Sequence, residues 1–247
     1  MNIDIEHSQS LAVYLREAGL VAPEDRLVCT KLTGGVSNRA VLVTVNGADR
    51  WVVKQALEKL RVPVDWFSSP ERIHREAAGL RALAAVLTER VTPGFVHEDK
   101  DTHILIMEAI PQPHTNWKQM LMAGELDPAH VRQFAEMLAS IHSRALTQRE
   151  TVAAQFADRH FFETLRVEPY YRYSAQQVPE STRFIEDLID STWHNTHTLV
   201  HGDYSPKNIL VHDDRLVLLD HEVIHWGDPA FDIGFSMTHL LSKAHHL

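Results

Sequence analysis

The sequence predicts an α+β chain in two parts, a strand-rich amino-terminal part built on a five-stranded antiparallel sheet and a mainly helical carboxy-terminal part. Three observations predict it. Apolar runs separated by turn residues crowd the first 56 positions. Helical stripes then follow at Glu71 to Glu89 and at His130 to His142. A last pair of short apolar runs, Ile209-Leu210-Val211 and Leu216 to Leu219, flanks the turn residues Asp213-Asp214. With 247 residues the chain can bury a sizeable core in one large domain or two lobes, and the change of pattern divides it into 1–110 and 111–247.

Residues 8 to 19 place Leu11, Val13, Tyr14, Leu15 and Ala18 at helical spacing ahead of the first strand. Arg26 to Leu32 and Arg39 to Val45 read as strands, and the Asn46-Gly47 turn leads to a third, Trp51 to Gln55, whose apolar run ends at Lys54. Between the first two lies Thr33-Gly34-Gly35-Val36-Ser37-Asn38. Its glycines let a backbone approach phosphates closely and Ser37 adds a hydroxyl donor, although a plain hairpin turn would use the same residues. The helix over Glu71 to Glu89 carries Ile73, Ala77, Leu80, Leu83, Ala84 and Leu87 on one face, with Glu76 in its first half. Strands near Gly94 to Glu98 and His103 to Met107 complete the sheet, and Glu108-Ala109-Ile110-Pro111 reads as the hinge out of it.

From Asn116 to Trp193 the pattern is mostly helical. Val131, Phe134, Met137, Leu138 and Ile141 form one stripe, started by Asp127-Pro128 with the proline just inside the helix. Phe161, Phe162, Tyr170, Tyr171 and Tyr173, with Glu163 and Glu168 nearby, serve equally as core or as the wall of a cleft.

Leu199-Val200 ends in His201-Gly202-Asp203, and Asn208 follows five residues after Asp203. Strands joined by a tight turn at Asp213-Asp214 then hold Asp203, Asn208 and Asp220 at one end of a hairpin. Phosphoryl transfer needs Mg²⁺ on the phosphates and a carboxylate beside the attacking hydroxyl. Asp203 supplies the carboxylate, and Asn208 and Asp220 supply hard oxygens that leave room for water and phosphate in an octahedron. The order His-x-Asp-x-x-x-x-Asn, then an Asp after the next hairpin, is that of the protein-kinase catalytic core.

Together with Leu219-Asp220-His221-Glu222 and the run Gly227-Asp228-Pro229-Ala230-Phe231-Asp232-Ile233-Gly234-Phe235, these residues resemble the aminoglycoside phosphotransferase and choline-kinase group of kinase-like small-molecule phosphotransferases. The resemblance implies a two-lobed protein-kinase-like fold and transfer of the γ-phosphoryl group of ATP to a hydroxyl of a small molecule. In it Asp203 accepts or orients the hydroxyl proton and Asn208 and Asp220 hold Mg²⁺. Gly34, Gly35 and Ser37 cover the phosphates, and Lys54 steadies them with Glu76, or alternatively Glu71, orienting it. The carbonyl of Glu108 and the amide of Ile110 meet the adenine edge, Met107 lines the pocket behind it, and Asp232 braces the catalytic loop. Gly202 replaces the arginine of His-Arg-Asp and only a short stretch separates Glu222 from Gly227, which argues against a peptide substrate. Ser205 stands where protein kinases carry a lysine, while Lys207 lies beside Asn208, and whether Lys207 reaches the transferred phosphate is left open by the sequence. Relatives in the group phosphorylate aminoglycosides, methylthioribose, choline, homoserine and sugar derivatives. A nucleotide-binding pseudokinase is the alternative, and retention of Asp203, Asn208 and Asp220 together speaks against it.

The formal net charge of -9 argues against nucleic acid and suits a cationic or neutral small substrate. No apolar run reaches the roughly 20 residues of a membrane span, and Met1 to Glu6 lacks the regions of a signal peptide, so a cytoplasmic protein is expected. The single Cys29 fits a reducing compartment. Seventeen histidines include the pairs His194 and His197, His221 and His225, and His245-His246, none with a third ligand at zinc-site spacing. The final helix, Asp228 to Leu247 with Phe231, Phe235, Leu240, Leu241 and Leu247 apolar, ends with neither glycine cap nor proline stop, so a chain truncated on its acceptor side is expected.

Overall fold

A computed structural model describes residues 3–33 and 35–246. Gly34, Leu247 and the first two residues lie outside the described residues. The chain forms two compact units, one running to Ala77 and including Pro93–Pro111, the other comprising Ala78–Thr92 and everything from Gln112. The segment 78–92 therefore goes with the second unit, where a single break after residue 110 was expected.

The first unit contains helix α1 (Ser8–Glu17), strands β1 (Leu27–Lys31), β2 (Asn38–Val45) and β3 (Ala48–Ala56), the first turns of α2 (Arg72–Val86), and strands β4 (Phe95–Asp99) and β5 (Ile104–Glu108). The five strands pair antiparallel in the order β1-β2-β3-β5-β4. Alternation decides the buried face. Val41, Val43 and Val45 of β2 pack with Trp51 and Val53 of β3 and Ile104 and Ile106 of β5, and Leu11 and Leu15 of α1 close over them. Asn46 and Gly47 both take positive φ (53° and 88°), the backbone of a two-residue hairpin turn.

The second unit opens with β6 (Thr115–Asn116), α3 (Trp117–Met122), α4 (Pro128–Thr147) and α5 (Arg149–Gln155). Asp127 caps α4 by accepting the Ala129 amide at 2.7 Å. Phe134, Met137, Leu138, Ile141 and Ala145 are the buried stripe of α4, whereas Val131 is substantially exposed. Next, α6 (His160–Phe162) runs into widened i→i+5 turns over Glu163–Arg172 and then α7 (Tyr173–Gln177). Pro169 sits inside those turns, where a proline lacks the N–H that a regular helix would use. After α8 (Thr182–His194) come β7 (Thr198–Val200), a single tight turn Pro206–Asn208, the hairpin β8 (Ile209–His212) and β9 (Arg215–Leu218), then β10 (His225–Gly227) and α9 (Pro229–His246). Positive φ at Asp213 and Asp214 makes the hairpin turn. β9 stops at Leu218 because the Leu219 amide turns to the Asn208 carbonyl at 2.8 Å.

Helix α9 departs from the expected apolar stripe. Its buried face carries Phe231, Asp232, Ser236 and Lys243, while Leu241 is 64% exposed. Polar residues hold positions that a purely apolar period would have given to leucine. Among the described residues no helix is long and apolar enough to cross a membrane.

Candidate functional site

In the second unit, the loop after β7 is held from three sides. Asp232, in the first turn of α9, accepts the His201 amide at 2.8 Å on Oδ2 and the Gly202 amide at 2.9 Å on Oδ1. His142 of α4 shares Oδ2 at 3.0 Å. Burial works to raise the Asp232 pKa, but His142 and the His201 amide outweigh it and hold the carboxyl below its ordinary value. Gly202 bends the loop with φ +77°, and a Cβ there would lie 2.9 Å from Val223 Cγ1. Tyr204 anchors the far side, donating to the Phe134 carbonyl at 2.6 Å and stacking on that ring at 4.3 Å.

Buried His201 points Nδ1 at the Asp203 amide, 3.2 Å away. Burial pushes its pKa down and favours the neutral ring, whose Nδ1 accepts from the Asp203 amide. The site's polarity converges on Asp203. Its Oδ2 receives Arg166 at 3.0 Å, Lys207 at 2.9 Å and the Asn208 side-chain amide at 2.8 Å. Its Oδ1 is buried and has no hydrogen-bond partner among the described residues. Arg166 also donates from Nε to the Gly202 carbonyl at 2.7 Å. Burial disfavours the charged Lys207, but Asp203 outweighs it and raises the ammonium pKa.

Asn208 spends its amide nitrogen on the carbonyl and Oδ2 of Asp203, which leaves its side-chain oxygen as the metal-type donor. Asp220 follows β9 with φ +67°, a backbone that costs a non-glycine residue energy and is found where geometry is imposed. Only residues 221–224 separate Asp220 from β10, which pairs with β7. Among the described residues no group of three His, Cys, Asp or Glu side chains is arranged to hold a metal.

In the first unit Lys54 of β3 meets Glu76 of α2 at 2.6 Å, with Glu76 0% and Lys54 15% exposed. Glu71, the alternative partner, is exposed. Gly34 lies outside the described residues. Gly35 has room for a side chain, since a Cβ would meet only the Asn38 carbonyl at 3.7 Å. Ser37 is buried, its hydroxyl oxygen accepting from Asn38 at 3.2 Å. Its carbonyl is held by Arg72, which also bonds Leu57 O at 2.7 Å and Ser68 O at 2.9 Å. On the last strand Met107 is buried, and the amides of Glu108 and Ala109 are taken by Gly94 and Arg50. The Ile110 amide has no partner among the described residues.

Arg166, His142, Tyr204 and Arg72 were not singled out by sequence reasoning. Each is an ordinary residue in a helical or loop pattern, and only tertiary placement gives it a role. Of the aromatics set aside for a cleft wall, Phe161 and Phe162 are core, and Tyr170 and Tyr173 are exposed.

The sequence profile of the phosphotransferase enzyme family (APH) matches residues 28–244. Methylthioribose kinase 2 of Oryza sativa subsp. japonica is 25% identical over 94% of this chain and 61% of its own length. A methylthioribose kinase of Yersinia pseudotuberculosis is 26% identical over 92% of this chain and 62% of its own. The chain thus spans about three fifths of the length of these curated relatives. Among solved structures, a choline/ethanolamine kinase family protein from Mesorhizobium loti superposes with TM-score 0.61 at 14% identity, over 96% of this chain and 71% of that one. A streptomycin–ATP complex of APH(2″)-IIa gives 0.55 at 17%, over 99% and 83%. The likeness extends to the kinase-like fold of a five-stranded antiparallel sheet followed by a helical part.

Proposed function

Since this chain belongs to the phosphotransferase enzyme family, we propose that it moves the γ-phosphoryl group of ATP to a hydroxyl of a small molecule, with Asp203 as the base. One observation carries the reading: the two oxygens of Asp203 are unlike. Arg166, Lys207 and Asn208 crowd Oδ2 and fix the carboxylate, while Oδ1 has no partner among the described residues and can accept the acceptor's proton. As the acceptor oxygen bonds to Pγ, its proton passes to Oδ1 and the bond from Pγ to the bridging oxygen breaks. ADP leaves with that electron pair.

Asn208 and Asp220 are the residues to hold Mg²⁺. They fit, because Asn208 keeps its oxygen uncommitted among the described residues and a pair of hard oxygen donors leaves octahedral positions for phosphate and water. A bound Mg²⁺ would offset charge on the transferring group. In the first unit the Lys54–Glu76 pair serves the α- and β-phosphates, Gly34, Gly35 and Ser37 cover them, and the Glu108 carbonyl and open Ile110 amide meet adenine before Met107.

Methylthioribose, named by the curated relatives, is one acceptor to test. The assay is Mg²⁺-dependent transfer of label from γ-labelled ATP to a panel of hydroxylated metabolites. Labelled product from the parent and its loss in Asp203→Asn are expected. A variant as active as the parent overturns the reading.

A further inference from the structure

The second unit gathers more cations around its catalytic loop than this mechanism uses. Arg166 and Lys207 are both committed to Asp203. Helix α9 packs against α3 and against the Pro206–Asn208 turn, and each of the two helices brings another basic side chain. Lys243 of α9 is only 9% exposed. Its ammonium touches the His239 carbonyl at 2.9 Å and His239 Nδ1 at 3.5 Å, and pairs with no carboxylate among the described residues. Lys118 stands on α3, whose cap Asn116 donates to the Lys207 carbonyl at 2.7 Å, and it too has no carboxylate partner among the described residues.

These groups feel one another. Burial, then Lys118 and Lys207, push the Lys243 pKa below its ordinary value. Burial and Lys243 likewise lower that of His239, against Asp203. An ammonium withdrawn from water without an anion is costly, and like charges nearby add to the cost. Asp203, the acid whose charge reaches His239, takes the proton in the proposed reaction. An anion arriving with the acceptor relieves the excess.

We infer that the acceptor is an anionic alcohol, a hydroxyl compound whose carboxylate or phosphate group sits against Lys243 and Lys118 while its hydroxyl reaches Asp203. The hydroxyl half rests on the phosphotransferase reading; the anion half rests on the lysines alone, and binding tests it without turnover. The probes are matched polyols: glucose 6-phosphate, gluconate, neutral glucose and methylthioribose, and cationic glucosamine. Their dissociation constants are measured by calorimetry with a non-hydrolysable ATP analogue present.

At least one anionic probe should bind about ten-fold or more tighter than the neutral ones, the scale of one charge-assisted contact. The phosphate and carboxylate arms tell which anion is preferred. Lys243→Gln and the solvent-exposed Lys118→Gln should each shrink that preference, and Lys243→Arg should keep it. Several outcomes overturn the inference: no binding of either anion, neutral probes binding as tightly, or a preference that neither glutamine variant moves. So does a loss confined to the ATP analogue, which would assign these lysines to the nucleotide. Failure of phosphate transfer with every probe would instead sink the phosphotransferase reading, leaving the anion result standing.

Discussion

Asp203→Asn keeps the shape of the side chain and its crowded edge but removes the proposed proton acceptor. Turnover should fall by roughly 10²-fold or more, the scale of general-base loss, with nucleotide affinity retained. Single-turnover transfer beside an equilibrium titration checks both, and a matching drop in affinity would reassign the residue. Asp232 makes a second prediction. Its carboxyl is depressed in the folded state, so its stability is present above the ordinary carboxylate pKa and is lost as pH falls through the folded value. His201 acts earlier: buried neutral, it costs stability as pH falls below its ordinary 6.5, because the unfolded chain takes the proton first. Urea midpoints from pH 8 to 3 should show both limbs in the parent and a smaller lower limb in Asp232→Asn, where Asp25 and Asp99, also held below the ordinary carboxylate value, still contribute. Asp232→Ala, which strands His142 and two buried amides, should cost about 3–5 kcal/mol. An unchanged low-pH limb in Asp232→Asn would refute the assignment. Asp203, Asn208 and Asp232, which meet around one loop in the structure, were marked by spacing, because the loop and hairpin are local. Arg166 was not, because it reaches Asp203 from 37 positions away across a helix whose widened turns no periodicity announces.

Glycines test how elements pack. In α2, a Cβ at Gly79 would stand 2.7 Å from His221 Cβ and 3.1 Å from Ile224 Cγ2. Helix propensity favours alanine there by about 0.8–1.0 kcal/mol, but overpacking costs about 1–3 kcal/mol, so Gly79→Ala should destabilise. Gly234 in α9 has nothing within 4 Å of its Cβ direction, and Gly234→Ala should stabilise by about 0.5–1 kcal/mol. Opposite shifts of the melting temperature are expected, and shifts of one sign would contradict the packing of α2 on His221. The strands of the first unit were readable because alternation and an Asn-Gly turn are short-range signals. Leu241 was misplaced for the opposite reason: α9 buries Asp232 and Lys243 for contacts beyond its own sequence.

Across the whole molecule the two units have separate cores, and the formal charge of -9 gives no hint of the cations gathered in the second. Charge summed over a chain says little about a site whose members come from four segments. In the first unit the Lys54–Glu76 pair is the proposed nucleotide device, and its parts should fail together. Lys54→Met takes a 2.6 Å partner from a carboxylate that is 0% exposed, a loss of about 3–5 kcal/mol in buried pairs. Glu76→Gln keeps the shape but leaves the ammonium unguided. Either change should therefore weaken binding of a fluorescent ATP analogue about as much as both together, because residues acting as a unit are not additive. Repeating Lys54→Met in the Asp203→Asn background should change nucleotide affinity by the same factor as in the parent, since in the proposed reaction Asp203 acts on the proton and not on nucleotide binding. Fully additive losses for Lys54 and Glu76 would show that the pair does not work as one device, and a changed factor in the Asp203→Asn background would show that the base takes part in binding the nucleotide.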